Sequence, residues 1–269
     1  MDKKIDRLNN DNDSCWDISN LEYKYLELVK SLTFMGPEIA IDIGNPTRAI
    51  IKWDEPNDSW KEYDMESNTG CPSKFLIMCL NTIQNALQQK GAFTIDGDRP
   101  LFANAWGLEF WNCYANGNDV LDSSRGDSTV DKIAWITSTS ADTITMKEKE
   151  GLSFNVPFLL YLVPSQEKAF KVRQVCKFLE VVGIQTVCLH SGAPRDDQIH
   201  SLKSYEPEFL VSTPERLLEL LALKAVNISD VSLMVVDGLE AGTKYLDAVK
   251  SIRRFISGNP QTVVFCYCK

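Results

Sequence analysis

The segment from Phe209 to Leu221 combines residue types that could bind a phosphate group. A short apolar stretch runs into Thr213 and Pro214, and leucines then recur at the spacing of an amphipathic helix. Proline suits the first turn of a helix, where its missing N–H is not needed, and a threonine before it suits the N-cap. The tip of such a strand–turn–helix presents free backbone N–H groups, and α/β folds bind phosphates at such tips.

Arg216 lies in the first turn of this predicted helix and could add a guanidinium donor to a phosphate site. Against that, Glu215 places a negative charge in the middle of the site. A capped helix with a surface arginine explains the same residues, and both interpretations stay open.

The composition is that of a soluble globular protein. Apolar residues make up 44% of the 269 residues and charged residues 24%, and no apolar run is long enough to span a membrane. The first residues lack the apolar core of a secretion signal, so we expect an intracellular protein of the cytoplasm or nucleus, without a membrane partner. Eight cysteines without a CxxC pair, together with two histidines, give little support to a zinc site, and we expect no metal.

The net charge of −9 argues against broad non-specific binding of nucleic acid. The charge is uneven, however. Residues 151–269 carry 13 Lys and Arg against 12 Asp and Glu, whereas the first 150 residues carry 15 against 25. An RNA-binding face is therefore expected in the second part of the chain.

From about residue 75 onward, predicted strands and helices alternate. Apolar strand candidates lie at 119–122, 157–163, 185–189, 208–212, 232–237 and 261–266. Helical spacing predicts helices at 75–90, 130–136, 167–182, 196–203, 214–221 and 241–256, with a polar Ser/Thr stretch at 137–145 interrupting the second. Strict alternation implies right-handed crossovers, so the predicted fold class is α/β, a parallel sheet with helices on both faces.

The first 74 residues have a different pattern. Residues 1–20 are predicted to be a disordered arm, and residues 21–74 a small N-terminal region of one helix and short β-strands. Trp53, Trp60 and Tyr63 could form a peptide-binding aromatic cage, but the core of a small sheet is the favoured interpretation. Residues 75–269 form the main predicted domain.

Several segments, taken in order, resemble motifs of the DEAD-box RNA helicases. Residues 209–221 resemble VATPGRLLDLL, with Glu215 in place of the glycine. Residues 163–169 resemble APTRELA, with Gln166 in place of the arginine, and residues 190–192 stand where the family has a Gly-Gly turn. The resemblance implies the first RecA-like domain of such a helicase. It also implies the following RNA-binding candidates: Pro164, Gln166, Gly192, Thr213, Pro214 and Arg216.

The same resemblance locates an ATP site whose residues are mostly substituted. Residues 100–106 resemble PIQAQAW, with Phe102 at the adenine-reading glutamine, and residues 122–131 occupy the place of the AQTGSGKT loop. Asp237 matches the metal-associated aspartate of VLDEAD, but Gly238 replaces the glutamate that activates water. Val130 replaces the phosphate-binding lysine, and Asp131 the magnesium-binding threonine. The remaining positions of this degenerate site are Gly126, Ser128, Thr129 and Glu240.

A phosphate loop needs glycines for close backbone approach and a lysine for the outer phosphates. Without the lysine and the catalytic carboxylate, attack of water on ATP loses both its charge stabilisation and its base. No catalytic residue and no cofactor are therefore expected, and ATP with magnesium would bind only if the degenerate site works. Asp237 is interpreted as a capping or turn residue rather than a metal ligand.

Two other polar groups have plain structural interpretations. His190 beside Ser191 could indicate nucleophilic chemistry, but no partnered base is visible, so a structural role is favoured. The basic residues Lys168, Lys171, Arg173 and Lys177 occupy the polar positions of one predicted helix. They are interpreted as a solvated surface, with an RNA contact as the alternative.

Three functions follow as hypotheses. The first is a catalytically degenerate DEAD-box-like module that binds RNA or acts as a protein scaffold in an RNA-processing or RNA-silencing complex, with protein partners expected. The second is an ATP-dependent RNA helicase whose full-length chain supplies a second RecA-like domain. The third is a protein-interaction scaffold that does not bind nucleic acid.

Overall fold

Six parallel strands and seven α-helices form the part of the chain that the computed structural model describes, which comprises residues 71–89, 100–123, 128–152, 156–238 and 242–266. The helices are α1 (Lys74–Gln89), α2 (Ala105–Ala115), α3 (Val130–Lys149), α4 (Gln166–Cys176), α5 (Arg195–Tyr205), α6 (Pro214–Ala222) and α7 (Thr243–Arg253). The strands are β1 (Val120–Asp122), β2 (Leu159–Leu162), β3 (Thr186–Leu189), β4 (Phe209–Ser212), β5 (Leu233–Val236) and β6 (Gln261–Phe265). Short 3-10 helices cover Leu101–Ala103 and Lys177–Val182.

The strands pair in the order β1-β6-β5-β2-β4-β3, and every neighbouring pair is parallel. Strand β2 lies inside the sheet, where Leu159 is in register with Phe209 on one side and with Leu233 on the other. The predicted α/β class with a parallel sheet is therefore confirmed. The strands are almost continuously apolar because helices cover both faces of the sheet.

Alternating strand residues divide the core into two layers. Leu159 and Tyr161 face a layer that contains residues of α1, α2, α3 and α4, whereas Leu160 and Leu162 face residues of α5, α6 and α7. Successive side chains of a strand point to opposite faces of the sheet, so one four-residue strand serves both layers.

Helix α3 is continuous from Val130 to Lys149, so the prediction that a Ser/Thr stretch interrupts it was wrong. The hydroxyls of Thr137 and Ser140 donate to carbonyl oxygens four residues earlier, Ile133 and Ile136, at 2.8 Å each. Polar side chains that bond their own helix backbone can be buried without ending the helix. Next along the helix, Asp142 is 7% exposed and accepts a 2.5 Å hydrogen bond from the Ser73 hydroxyl.

The predictions for the arm at 1–20 and for most of the small region at 21–74, including Trp53, Trp60 and Tyr63, lie outside the described residues. The division of the chain at residues 20 and 74 therefore stays a prediction.

Candidate functional site at the carboxyl edge of the sheet

The carboxyl ends of the parallel strands meet at one edge of the sheet, and ligands of open α/β folds bind outside this edge. Four of the predicted site segments follow strands there. Pro164 comes after β2, Gly192 after β3, Thr213 after β4, and Asp237 after β5. The fold thus brings Asp237 of the predicted ATP site to the same edge as the RNA-binding candidates Pro164, Gly192 and Thr213.

Asp237 is fully buried, and both of its carboxylate oxygens accept hydrogen bonds. The backbone N–H of Ser128 donates to Oδ1 at 3.3 Å, and the Ser128 hydroxyl donates to Oδ2. The Lys168 ammonium lies 3.2 Å from the same Oδ2 and donates to the Ser128 carbonyl oxygen at 3.1 Å. We call Ser128, Lys168 and Asp237 the internal ion-pair cluster.

Lys168 is only 7% exposed, so its interpretation as part of a solvated surface was wrong, whereas Lys171, Arg173 and Lys177 are exposed as expected. The position of Lys168 in the first turn of α4 accounts for the difference. Ser165 caps this helix, and its hydroxyl oxygen accepts a hydrogen bond from the Lys168 backbone N–H at 3.3 Å. Helical side chains tilt toward the N-terminus, which here is the carboxyl edge of the sheet.

The backbone beyond Asp237 is held in an unusual conformation. Gly238 has a φ of +74°, and a Cβ atom at this position would lie 2.9 Å from Cγ of Pro164. The Tyr245 hydroxyl donates to the Asp237 carbonyl oxygen at 2.7 Å and fixes the same turn. A side chain in the place of the family's glutamate would therefore meet both left-handed backbone strain and a steric contact.

Among the described residues, Ser128, Thr129, Val130 and Asp131 of the predicted ATP site lie in or just before α3, and Phe102 lies in the 3-10 helix Leu101–Ala103. Asp131 is in the first turn of α3 and accepts a 2.8 Å hydrogen bond from the Asn104 amide. Ser128 is buried, Thr129 and Phe102 are exposed, and Val130 begins the helix. Gly126 and Glu240 lie outside the described residues.

These residues do not fit a magnesium–triphosphate group in the manner that the resemblance implies. A phosphate at the N-terminus of α3 would meet the Asp131 carboxylate, and a metal at Asp237 would compete with the Lys168 ammonium. Like charges at such distances repel strongly in a partly desolvated site.

Three of the RNA-binding candidates, Gln166, Gly192 and Arg216, meet at the turn after β3. A Cβ atom on Gly192 would lie 2.0 Å from Oε1 of Gln166, so the Gln166 side chain covers this glycine. Arg216 donates from Nη2 to the carbonyl oxygens of Ser191 at 3.5 Å and Ala193 at 3.4 Å. Residues that follow β2 and β4 thus contact the turn that follows β3.

Arg216 is 9% exposed, so it is not the surface arginine of the plain-helix interpretation. Its Nε lies 3.4 Å from Glu219, and its Nη1 has no hydrogen-bond partner among the described residues. Thr213 occupies the N-cap position of α6, but its hydroxyl makes no capping hydrogen bond there. A buried guanidinium nitrogen and an uncapped helix N-terminus both leave donors for an anion.

His190 is buried and packs against an aromatic ring. It is 5% exposed, and its ring packs edge-on against Phe170 at a centroid distance of 4.8 Å. Burial lowers the pKa of this imidazole, as do the charges of Arg216 and Arg173. The Gln198 amide donates to the His190 carbonyl oxygen at 2.8 Å, which fixes the turn that Arg216 contacts.

The ion pair of a second lysine, Lys132, was not predicted from the sequence. Its ammonium lies 2.5 Å from buried Asp122 and faces the rings of Trp106 at 5.4 Å and Phe265 at 5.7 Å. Periodicity placed Lys132 on a predicted helix, but only the packing of β1 and β6 beside α3 reveals its partners.

Comparisons with known proteins identify the family and agree with the fold. The sequence model of the DEAD/DEAH box helicase family matches residues 128–266, and the chain therefore belongs to this family. The described part of the chain corresponds to the first RecA-like domain of these helicases. The structure resembles a DEAD box protein from Methanococcus jannaschii (TM-score 0.54, 16% identity, 70% of this chain and 48% of that chain). It also resembles a hypothetical ATP-dependent RNA helicase from Sulfolobus tokodaii (TM-score 0.52, 15% identity, 70% and 50%).

Two curated relatives show how much of a longer protein the chain matches. Human probable ATP-dependent RNA helicase DDX43 is 34% identical over 187 residues, which are 70% of this chain and 27% of that protein. The pre-mRNA-processing ATP-dependent RNA helicase prp5 of Sclerotinia sclerotiorum is 31% identical over 130 residues, 46% of this chain and 11% of that protein. The chain thus spans about a quarter or less of the length of these relatives. Within the described part of the chain, no helix has the length and apolar character needed to cross a membrane.

Proposed function

We propose that this chain is an RNA-binding DEAD-box module that does not hydrolyse ATP and works in an RNA-processing or RNA-silencing complex with protein partners. The observation that carries the RNA part is Arg216, which is almost buried, holds the turn after β3 and keeps Nη1 without a partner among the described residues. A phosphate oxygen would satisfy that nitrogen, and guanidinium–phosphate pairs have favourable geometry.

The neighbouring groups support the same ligand. The backbone N–H groups at the start of α6 lie beside Arg216, and the Gln166 amide covers Gly192 on the same surface. Backbone and amide donors of this kind position a nucleic-acid backbone without reading its sequence. We therefore expect single-stranded RNA to bind with little base preference and with a strong dependence on salt.

The proposal that ATP is not hydrolysed is supported by the substituted positions. Val130 and Gly238 provide neither the charge of lysine nor the carboxylate of glutamate, and Asp237 is paired with Lys168. Both the ability to stabilise phosphate charge and the ability to activate water are therefore reduced.

The test measures RNA retention by filter binding at a low and a high salt concentration. Arg216→Gln should weaken retention, whereas Arg195→Gln should not, although both arginines pair with Glu219 and both changes remove one positive charge. Unaltered retention in Arg216→Gln would favour a protein scaffold without nucleic-acid binding, which the net charge of −9 also permits.

The second candidate is an ATP-dependent RNA helicase in which a longer chain supplies another RecA-like domain. It is favoured by relatives that are named ATP-dependent RNA helicases and are much longer than this chain. Phosphate release from the full-length protein at saturating ATP, stimulated by RNA, would support it. A rise in thermal stability with Mg-ATP that Asp237→Ala abolishes would also contradict the proposed loss of ATP handling.

A further inference from the structure

The internal ion-pair cluster joins three separate parts of the fold. Lys168 comes from the first turn of α4, Asp237 from the end of β5, and Ser128 from the segment before α3. We propose that Lys168 is an internal cation that excludes metal: its ammonium takes the place of a divalent ion at Asp237. This inference rests on the proposed loss of ATP handling and names the contact responsible, but it does not depend on RNA binding.

The geometry of Asp237 supports this role. The carboxylate is fully buried, its Oδ1 accepts from the Ser128 backbone, and its Oδ2 receives both the Ser128 hydroxyl and the Lys168 ammonium. A buried carboxylate requires such compensation, since an unpaired one is strongly unfavourable. Asp237 therefore has a complete set of partners within the chain itself.

A divalent cation cannot simply be added to this arrangement. It would bind the same carboxylate oxygens and bring two further positive charges next to the Lys168 ammonium, which lies 3.2 Å from Oδ2. Magnesium also requires near-ideal octahedral geometry and keeps several of its waters. The ammonium must move away before a metal can bind Asp237, so the ion pair excludes the metal.

The lysine of this ion pair is a departure from the family motif. In the family motif APTRELA, the residue at the Lys168 position is leucine, so the charge at this position departs from the motif while the neighbouring Ala169 keeps it. Ala169 is buried in the core, and the Lys168 backbone is fixed by Ser165. Replacing Lys168 with leucine would restore the family residue and leave Ser128 as the side-chain partner of Asp237 among the described residues.

The proposal predicts a gain of metal binding when Lys168 is removed. The experiment uses the full chain and Mn²⁺ as the probe, and the electron paramagnetic resonance signal of free Mn²⁺ measures its uptake. Wild type and the control Lys171→Leu, which removes an exposed lysine from the same helix, should take up no Mn²⁺ at Asp237. Lys168→Leu should bind Mn²⁺, with loss of the free signal and a rise in Tm on addition of the metal. Both effects should disappear in Lys168→Leu with Asp237→Asn.

A double-mutant cycle by urea unfolding tests the ion pair itself. Lys168→Leu and Asp237→Asn should each lower the unfolding midpoint, and the double variant should lose clearly less than the two single losses together. If Lys168→Leu does not fold, Lys168→Gln takes its place in both experiments, because its amide can still donate a hydrogen bond without a charge.

Three results would overturn the proposal. The first is Mn²⁺ uptake by wild type that Asp237→Asn abolishes, which would make Asp237 a metal ligand despite Lys168. The second is a folded Lys168→Leu or Lys168→Gln variant that takes up no Mn²⁺. The third is additive losses in the cycle. None of these results depends on RNA retention, so the proposed RNA function can fail or succeed separately.

Discussion

The Gln166 side chain lies directly over Gly192, so closely that a Cβ atom on Gly192 would be 2.0 Å from Gln166 Oε1. These residues follow different strands, β2 and β3, and both were RNA-binding candidates from the sequence alone. The contact means that the absence of a side chain at Gly192 determines where the Gln166 amide lies.

Gly192→Ala should move Gln166 and weaken RNA retention with little effect on stability. Because the obstructing atom is the far end of a flexible side chain, Gln166 can rotate away, and the free energy of unfolding should change by less than about 1 kcal/mol. Loss of one hydrogen bond of about 1 kcal/mol corresponds to about five-fold weaker RNA binding. The control is Gly258→Ala, where a Cβ meets no atom within 4 Å. Equal retention by the two variants would contradict a role for Gln166.

Glu215→Gln should strengthen RNA binding and slightly destabilise α6. Glu215 is exposed in the first turn of this helix, where a carboxylate interacts favourably with the helix dipole but repels a phosphate. The gain in affinity should shrink as salt rises, since screening weakens the repulsion. Titration of labelled RNA at low and high salt provides the measurement, with the exposed Glu180→Gln as the control for net charge. A gain of the same size in Glu180→Gln would show that position does not matter.

Gly238→Ala should be more destabilising than Gly151→Ala. Both glycines have positive φ, +74° and +69°, so each substitution carries left-handed strain of roughly 1–2 kcal/mol. Only at position 238 does the new Cβ also approach Pro164, within 2.9 Å, whereas the space at Gly151 is open. Overpacking of this kind adds about 1 kcal/mol or more. Urea unfolding of both variants measures the difference, and equal losses would show that Pro164 yields without cost.

Asp142→Asn should stabilise the protein increasingly as the pH rises. Burial raises the pKa of Asp142, although the Ser73 hydrogen bond and the Lys149 charge oppose that effect. The folded chain therefore holds this proton to a higher pH than the unfolded chain. The stability contributed by the protonated group is fully present below the unfolded pKa, about 3.9, and is lost as the pH rises through the folded pKa. Asparagine cannot ionise and escapes this loss.

Unfolding midpoints at several pH values, from below 4 to neutral, would measure the effect of Asp142→Asn. Asp196→Asn, whose carboxylate side chain is 89% exposed, is the control for removing one negative charge. A difference of the same sign and slope in that control would assign the effect to net charge rather than to burial.

The sheet was predictable because its inner strands are buried on both faces. A strand such as Leu159–Leu162 has no polar side, so it is a continuous apolar run in the sequence, followed at once by a helical pattern. Parallel pairing then places every carboxyl end at one edge, so Pro164 and Thr213, which the family resemblance named as RNA-binding candidates, lie at the same edge.

The side-chain partners were not predictable in the same way. The periodicity of α4 groups Lys168 with Lys171 as polar, but it contains no information on the end of β5, where Lys168 finds Asp237. Helix α3 shows the reverse problem, since Thr137 and Ser140 look like an interruption until their hydroxyls are seen to bond their own helix. In both cases the partner group, rather than the residue type, decides whether a polar side chain can be buried.

The position of β6 has a consequence for the order of folding during synthesis. Although β6 is the last of these strands to be made, it lies between β1 and β5, and Val263 pairs with Val120 on one side and Val235 on the other. The Asp119 carboxylate accepts from the Thr262 backbone N–H at 2.7 Å, so the start of β1 also depends on this late strand. Until residues 261–265 have left the ribosome, β1 has no neighbour among the strands that the structure describes. Contacts of such large sequence separation form slowly, so the emergence of β6 should be the step that completes the sheet.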